Sequence, residues 1–392
     1  MTAATAPSTL SDSFIDTPTS ALAEAEDCHI ADLPPDRDGM VRSNLVGFPR
    51  PNVVRSPRIL VLPFSFSDGE PPANSVGPTL GALRGAAHFF EVISWGKASF
   101  TFETAPEDLW IKVPKTAYDM GFSKDSTGPL SGLVSPFDVL TFTSPDLKLD
   151  DYDIIHLVGS PDLQHWATAW MDLDPRNAPV VGPAGAVSRA TLITHNHSDV
   201  SLMAHELGHA WLNLWDLYSG QNGITDFVGL NRFDVMYNAG LNDYNATDMT
   251  IWNKYLAGWV EPDQIRCVVG AGTTSHFIST NSEPSDLPKA AMVKLSDTKV
   301  LVIDTWRKSE FNRCCNETIA YVVDATRIHF AGPFRLQGSM KDPGDQLVLD
   351  ESHLTTTTEW TLVPDEPLTI SGVTVTLLDA DASGALVEVT TR

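Results

Sequence analysis

The chain has 392 residues, 42% of them hydrophobic, and a formal charge of −24. Length and apolar content describe a globular protein of one large or two ordinary domains rather than a disordered chain. The acidic balance argues against nucleic acid, whose phosphates require a basic face, and against anionic membranes. No run of about 18 apolar residues marks a transmembrane helix.

Residues 1–54 are polar and Pro-rich, punctuated by PPDRDG and GFPRP. They are expected to form an extended, partly disordered arm, and they lack the apolar core of a signal peptide. The first strand is Arg58–Leu62, an apolar run stopping at Pro63. LGALRGAAHFFEVIS follows with Leu80, Leu83, Ala87 and Phe90 at helical spacing. KASFTFETA, LWIKVP and residues 153–158 read as strands. VGPAGAVSRATLIT is β-like and leads into a helix that Ser198 or Asp199 would cap. Strand, helix and further strands before a long helix make an α/β pattern for residues 55–266. Beyond it, MVKLSD, VLVIDTW, IAYVVDA, VTVTLLDA and ALVEVTT are short β-type runs with turns between them. Residues 267–392 are therefore expected to be a β-rich, sandwich-like C-terminal domain.

Four cysteines, Cys28, Cys267, Cys314 and Cys315, permit two disulfides in three connectivities. Adjacent Cys314 and Cys315 suit distant partners better than each other, because a ring between neighbours is strained. Cys28 has a second reading, a thiolate that blocks a metal site from the arm; a disulfide is the plainer one.

The chemistry concentrates in MAHELGHAWLNLWDLY, residues 203–218. Positions four apart share a helix face, so His205 and His209 can offer imidazole nitrogens to one ion. Glu206 points to the adjacent edge, where it can act on water as a general base. Met203, Leu207, Ala210, Trp211 and Leu214 form the apolar stripe that buries the opposite side and turns the ligands toward a cleft. A surface helix with two ordinary histidines is the bland alternative.

A third ligand must come from elsewhere. On an unbroken helix Asp216 would lie about 10 Å beyond His209, given a rise of about 1.5 Å per residue. Metal–oxygen distances of roughly 2 Å exclude that. The chain must turn back, and Asn213 is the best residue for the positive φ this needs. The other nearby carboxylates are Asp226, Asp234, Asp243 and Asp248; no glutamate falls between Glu206 and Glu261.

HELGH with DLY, then FDVMYNAG, then TDMTIWNKYLAGWVEP, resembles the immune-inhibitor-A type of zinc metallopeptidase, a metzincin relative. Upstream, GFPRP, ILVLPFSFSDGEPP, HFFEVISWGKASFTFE and DLWIKVPKTAYDMG agree in kind and order. So does the tail, with YVVDA and GVTVTLLDADASGALVEV. The resemblance spans most of residues 45–392. It implies an α+β or α/β fold: a metzincin-like zincin catalytic domain, with a twisted mixed sheet and an active-site helix, followed by the β-rich domain. It also implies a secreted Zn²⁺ endopeptidase with Glu206 as general base and His205, His209 and a third residue as metal ligands. Family members commonly carry H-E-x-x-H-x-x-G-x-x-D. Here Leu212 takes the glycine position, and Asn213-Leu-Trp-Asp216 stands one residue further on.

Asp216 is the preferred third ligand. Asp226, in GITD, is the first fallback, because some aspartate zincins use a similar element. Met236 resembles the methionine packed beneath the metal in metzincins. Tyr237 and Tyr244 are candidate phenols for stabilising an oxyanion, with packing as the alternative. VGPAGAVSRATLIT is the expected edge strand that pairs with an extended substrate. His195 and His197 read as loop polar residues. Asp146, Asp150, Asp151 and Asp153 are candidate ligands for a structural Ca²⁺, with a solvated turn as the alternative. The expected partners are protein or peptide substrates, with neither nucleic acid nor membrane, and the expected state is a monomer. The competing reading is a catalytically inactive binding or adhesion protein of the same fold.

Overall fold

The computed structural model describes residues 22–30, 56–122, 136–163, 167–170, 179–194, 197–214, 233–236, 247–312, 316–324, 362 and 364–392. Over these the chain is a mixed α/β protein with few helices and several sheets. In order come β1 (Arg58–Phe66), α1 (Ala73–Ile93), β2 (Thr101–Thr104), β3 (Ile111–Val113), β4 (Ile154–Val158) and β5 (Ala167–Trp170). Then follow β6 (Val180–Gly182), β7 (Gly185–Val187), β8 (Ala190–Ile193), α2 (Val200–Leu212) and α3 (Ile251–Leu256).

The first sheet runs β2-β1-β4-β8-β5, parallel except for β5, and β3 also pairs with β1. Its central strands β1, β4 and β8 are buried on both faces, as parallel strands usually are. Ile59, Val61, Ile154, Val158 and Ile193 meet α1 and α2 on one face. Leu60, Leu62, Phe64, Ile155, Leu157 and Leu192 meet Phe137, Val139 and Leu140 on the other. Helix α1 buries Thr79, Ala82, Leu83, Ala86, Phe89, Phe90 and Ile93, a stripe set one position away from the expected Leu80 and Ala87.

Strand β1 and the stretch 181–194 differ from their sequence expectations. Strand β1 does not stop at Pro63 but runs through it to Phe66. The Val61 carbonyl accepts from Ala105 N on the β2 side, and Pro63 turns its nitrogen to that same side. That position falls at the junction between β2 and β3, where no backbone donor is required. The expected edge strand is also divided. Residues 180–187 form the β6–β7 hairpin, while β8 is interior, parallel to β4 and antiparallel to β5. Every residue of β8 is buried, which suits an interior strand; the edge belongs to β5.

The C-terminal part holds β9 (Ile265–Val268), β10 (Gly272–Ser279), β11 (Ala290–Ser296), β12 (Lys299–Trp306) and β13 (Glu317–Asp324). After them come β14 (Leu368–Ile370), β15 (Val373–Ala380) and β16 (Gly384–Thr391). They make two four-stranded sheets, β13-β12-β11-β9 and β10-β16-β15-β14. Val293, Leu301, Ile303 and Val322 pack toward Val375, Val387 and Val389 between the sheets. The opposite face of the first of these sheets carries Met292, Val300, Val302, Trp306, Ile319 and Tyr321. That face belongs to the same hydrophobic cluster as α1, α2 and α3. The sheet is thus a middle layer, which is why β12 reads as a continuous apolar run rather than an alternating one.

Part of the N-terminal arm is packed. Residues Ala25–Cys28 form a 3₁₀ turn, Ala23 bridges to Cys267, and Cys28 and Ile30 are fully buried. Cys28 is disulfide-bonded to Cys267. Its sulfur is therefore covalently occupied, which removes the reading of a thiolate that blocks a metal. Cys314 and Cys315 lie outside the described residues.

Candidate metal centre

Helix α2 starts on Asp199, whose carboxylate accepts from Leu202 N at 3.0 Å. Such a cap is worth about 1 kcal/mol. Met203, Leu207, Ala210, Trp211 and Leu214 are all buried, as the stripe predicts. Trp211 anchors the far end among Phe90, Phe100 and Trp259. The helix stops at Leu212, and Asn213 takes φ 52° and ψ 36°, the left-handed conformation a turn-back requires. Asn213 N donates to His209 O at 2.9 Å and Leu214 N to Gly208 O at 3.1 Å.

That reversal brings the Leu214 carbonyl under the second histidine, where it accepts from His209 Nδ1 at 2.6 Å. His205 Nδ1 donates to Val235 O at 3.0 Å. A carbonyl can only accept, so each Nδ1 carries the proton in these bonds and each neutral ring presents an Nε2 lone pair. The two Nε2 atoms stand 3.0 Å apart. Two lone pairs at that distance repel unless a cation or a proton lies between them. Two nitrogens bound tetrahedrally to zinc at about 2.05 Å would be about 3.3 Å apart. The pair thus fits a zinc ion, with both orienting hydrogen bonds already in place.

The ligand face is less open than the sequence suggests. His205 is 2% and Glu206 6% exposed, and only His209 is half-buried. The cover on the core side is the turn at 233–236. Met236 is fully buried, and a Cβ at Gly208 would lie 2.5 Å from its sulfur. The thioether therefore occupies the space that glycine leaves between the two histidines.

Asp234 and Asp248, weighed as third ligands, hold the backbone instead. Asp234 accepts from Met236 N, Thr250 N, Thr250 Oγ1 and Asn253 Nδ2 at 2.8–2.9 Å. Burial raises its pKa to about 6, and those four bonds oppose the rise. Asp248 pairs with Lys254 at 2.9 Å and accepts from Met249 N at 2.7 Å. Burial pushes the Asp248 carboxyl up and the Lys254 ammonium down, each opposed by the other's charge. Both carboxylates are spent on structure.

Asp216, Asp226, Tyr237, Tyr244, Asp243 and His195 lie outside the described residues. Among the described residues no group of three or more His, Cys, Asp or Glu side chains is gathered as a metal site. His197 Nδ1 meets Thr79 Oγ1 at 3.3 Å, which ties its loop to α1. Of the four aspartates considered for Ca²⁺, Asp153 accepts from Arg58 N and Asp146 from Ser144 Oγ, while Asp150 abuts Gly185. The Arg58 guanidinium reaches the Asp151 carbonyl.

The two carbonyls that orient the histidines left no mark in the sequence, because any residue supplies a carbonyl. The Gly208–Met236 contact did leave one, in the bare glycine between the histidines. A comparison with protein-family profiles finds no match, and neither does a comparison with curated proteins.

Proposed function

We propose that the chain is a secreted, zinc-dependent endopeptidase of the immune-inhibitor-A type. The observation that carries this reading is the His205–His209 pair, with Nε2 atoms 3.0 Å apart and each ring held at Nδ1 by a backbone carbonyl. The metzincin-like arrangement of the catalytic part belongs to the same proposal. Its support is Met236 against Gly208 on a helix that ends in a left-handed residue.

In this reading His205 and His209 bind zinc. Asp216 completes the set, two residues past the Leu214 carbonyl that meets His209, and Asp226 is the alternative. Zinc, when bound, supplies Lewis acidity toward a carbonyl and lowers the pKa of water to about 7. Glu206, between the ligands in sequence and nearly buried, takes the proton from the attacking water and passes it to the leaving amine. Tyr237 or Tyr244 would donate to the developing oxyanion. An extended peptide would add to the outer edge of β5, which among the described strands pairs only with β8. The Cys28–Cys267 disulfide supports an oxidising destination. No helix among the described residues is long and apolar enough to cross a membrane.

Metal analysis combined with casein cleavage tests the proposal. One zinc per chain is expected. His205→Ala should lose the metal, whereas Glu206→Gln should keep it and lose cleavage by several orders of magnitude. A folded protein that takes up no zinc at saturating concentration overturns the reading. Zinc uptake without cleavage of any peptide library favours the inactive binding protein. Asp216→Ala and Asp226→Ala, scored by zinc stoichiometry, decide the third ligand.

A further inference from the structure

The turn that carries Val235 and Met236 is held by residues well away from the histidines. Asp234 is fully buried, and its two oxygens divide their work. Oδ1 accepts from Met236 N, while Oδ2 accepts from Thr250 N, Thr250 Oγ1 and Asn253 Nδ2. One carboxylate therefore clips the turn to the first residues of α3. Val235 N adds a second clip, donating to Asp248 O at 3.1 Å.

The start of α3 is itself held by the C-terminal sheet. Asp304, fully buried on β12, accepts from Ile251 N at 3.0 Å through Oδ2 and from Trp306 Nε1 through Oδ1. Phe233, at the head of the turn, packs edge-on against Trp306 with ring centroids 5.1 Å apart. Asn281 Nδ2, just beyond β10, donates to Met249 O at 2.9 Å. The connection runs from β12 to the N-terminus of α3, to Asp234, to the turn, and ends on His205 Nδ1 and Gly208.

We infer that Asp234 is a positioning residue for the metal centre, and that Asp304 makes metal affinity depend on the C-terminal sheet. The inference rests on the proposed zinc site. Its physical basis is that orienting bonds to metal-bound histidines govern affinity, and their loss costs about 10–100-fold. Asp234→Asn addresses it directly. An amide keeps one acceptor oxygen; if that oxygen faces the three donors of α3, its NH₂ meets Met236 N–H, donor against donor. The clip to the turn then opens while the side chain keeps its size.

The experiment measures zinc Kd by chelator competition on the folded full chain, the visible spectrum of the Co²⁺-loaded protein, and amide exchange at Val235 and Met236 without metal. Asp234→Asn should raise Kd by about 10–100-fold, alter the Co²⁺ bands and speed exchange at both amides. Asp304→Asn should act in the same direction and more weakly. Val387→Ala, in the outer sandwich core, provides an equally destabilised control that should leave all three readouts unchanged. If Asp234→Asn does not fold, Thr250→Val, which removes one donor to Oδ2, takes its place. Wild-type Kd, spectrum and exchange in the Asp234 variant overturn the inference, as does an equal shift in the Val387 control. If the wild type takes up neither Zn²⁺ nor Co²⁺, the proposed function fails instead, and amide exchange alone decides whether Asp234 holds the turn.

Discussion

Gly208 and Asn213 show how much a single position of α2 carries. Gly208 lets the Met236 sulfur approach the helix between the histidines, since a Cβ there would stand 2.5 Å from it. Gly208→Ala is expected to destabilise the protein by about 1–3 kcal/mol through overpacking, read as a lower urea midpoint with an unchanged slope. Shortening Met236 to Ala in the same chain should recover part of that loss, because the collision is with its thioether. Additive losses in the double variant would refute the contact. Asn213 was legible in the sequence, because a ligand seven residues past the helical histidine requires a reversal and asparagine tolerates one. Val235 O and Leu214 O were not legible, because they reach the histidines through backbone geometry that no residue type announces.

At the scale of elements, local pattern placed β1, β4, α2, β11, β12, β13, β15 and β16 near their observed positions. It missed β5, β9, β10 and β14, and it misread β8 as an edge. The short run Ala-Thr-Leu-Ile fits an interior strand or an edge packed on one side, and only the antiparallel partner β5 decides between them. Pro63 misled for a similar reason, since a proline breaks a strand only where its nitrogen faces a partner. The N-terminal segment also depends on a distant partner. The disulfide joins Cys28 to Cys267 across a sequence separation of 239. Replacing both cysteines by alanine should cost about 2–4 kcal/mol, with the model-dependent entropy of a long loop as the main cause. Urea unfolding of the variant against the oxidised wild type measures it; equal midpoints would show that the bridge adds nothing.

Across the whole molecule, the sheet β13-β12-β11-β9 is shared between the α/β part and the outer sandwich. The junction is not purely apolar. Lys254 Nζ lies 4.9 Å and Lys289 Nζ 4.8 Å from the centroid of the Trp95 ring, with Asp248 paired to Lys254 and Asp304 close by. Lys289 also donates to Thr280 O at 2.7 Å. Burial, then the Lys254 charge, lower the Lys289 pKa from 10.5 to about 7. Between those values the unfolded chain holds the proton more tightly, so Lys289 favours folding more as pH rises from 7 toward 10. That contribution is lost as pH falls from the unfolded value of 10.5 to about 7. The unfolding free energy of the wild type should therefore gain on Lys289→Met by up to about 4 kcal/mol between pH 7 and 10. Urea titrations of both proteins at the two pH values check it, and a constant difference would refute the buried ammonium.

Sequence alone was enough for features that depend on near neighbours: the shared face of His205 and His209, the Asp199 cap, the reversal at Asn213, and the β-rich character after residue 266. Helical and strand periodicities are set within a few residues, so the chain displays them directly. Tertiary structure decided which carbonyls orient the histidines, that Asp234 and Asp248 serve the backbone, and that Cys28 belongs to Cys267. It also decided that one face of the C-terminal sheet shares a hydrophobic cluster with the helices. Each of these joins residues distant in the chain, and backbone groups and buried carboxylates look the same in a sequence whatever partner they meet.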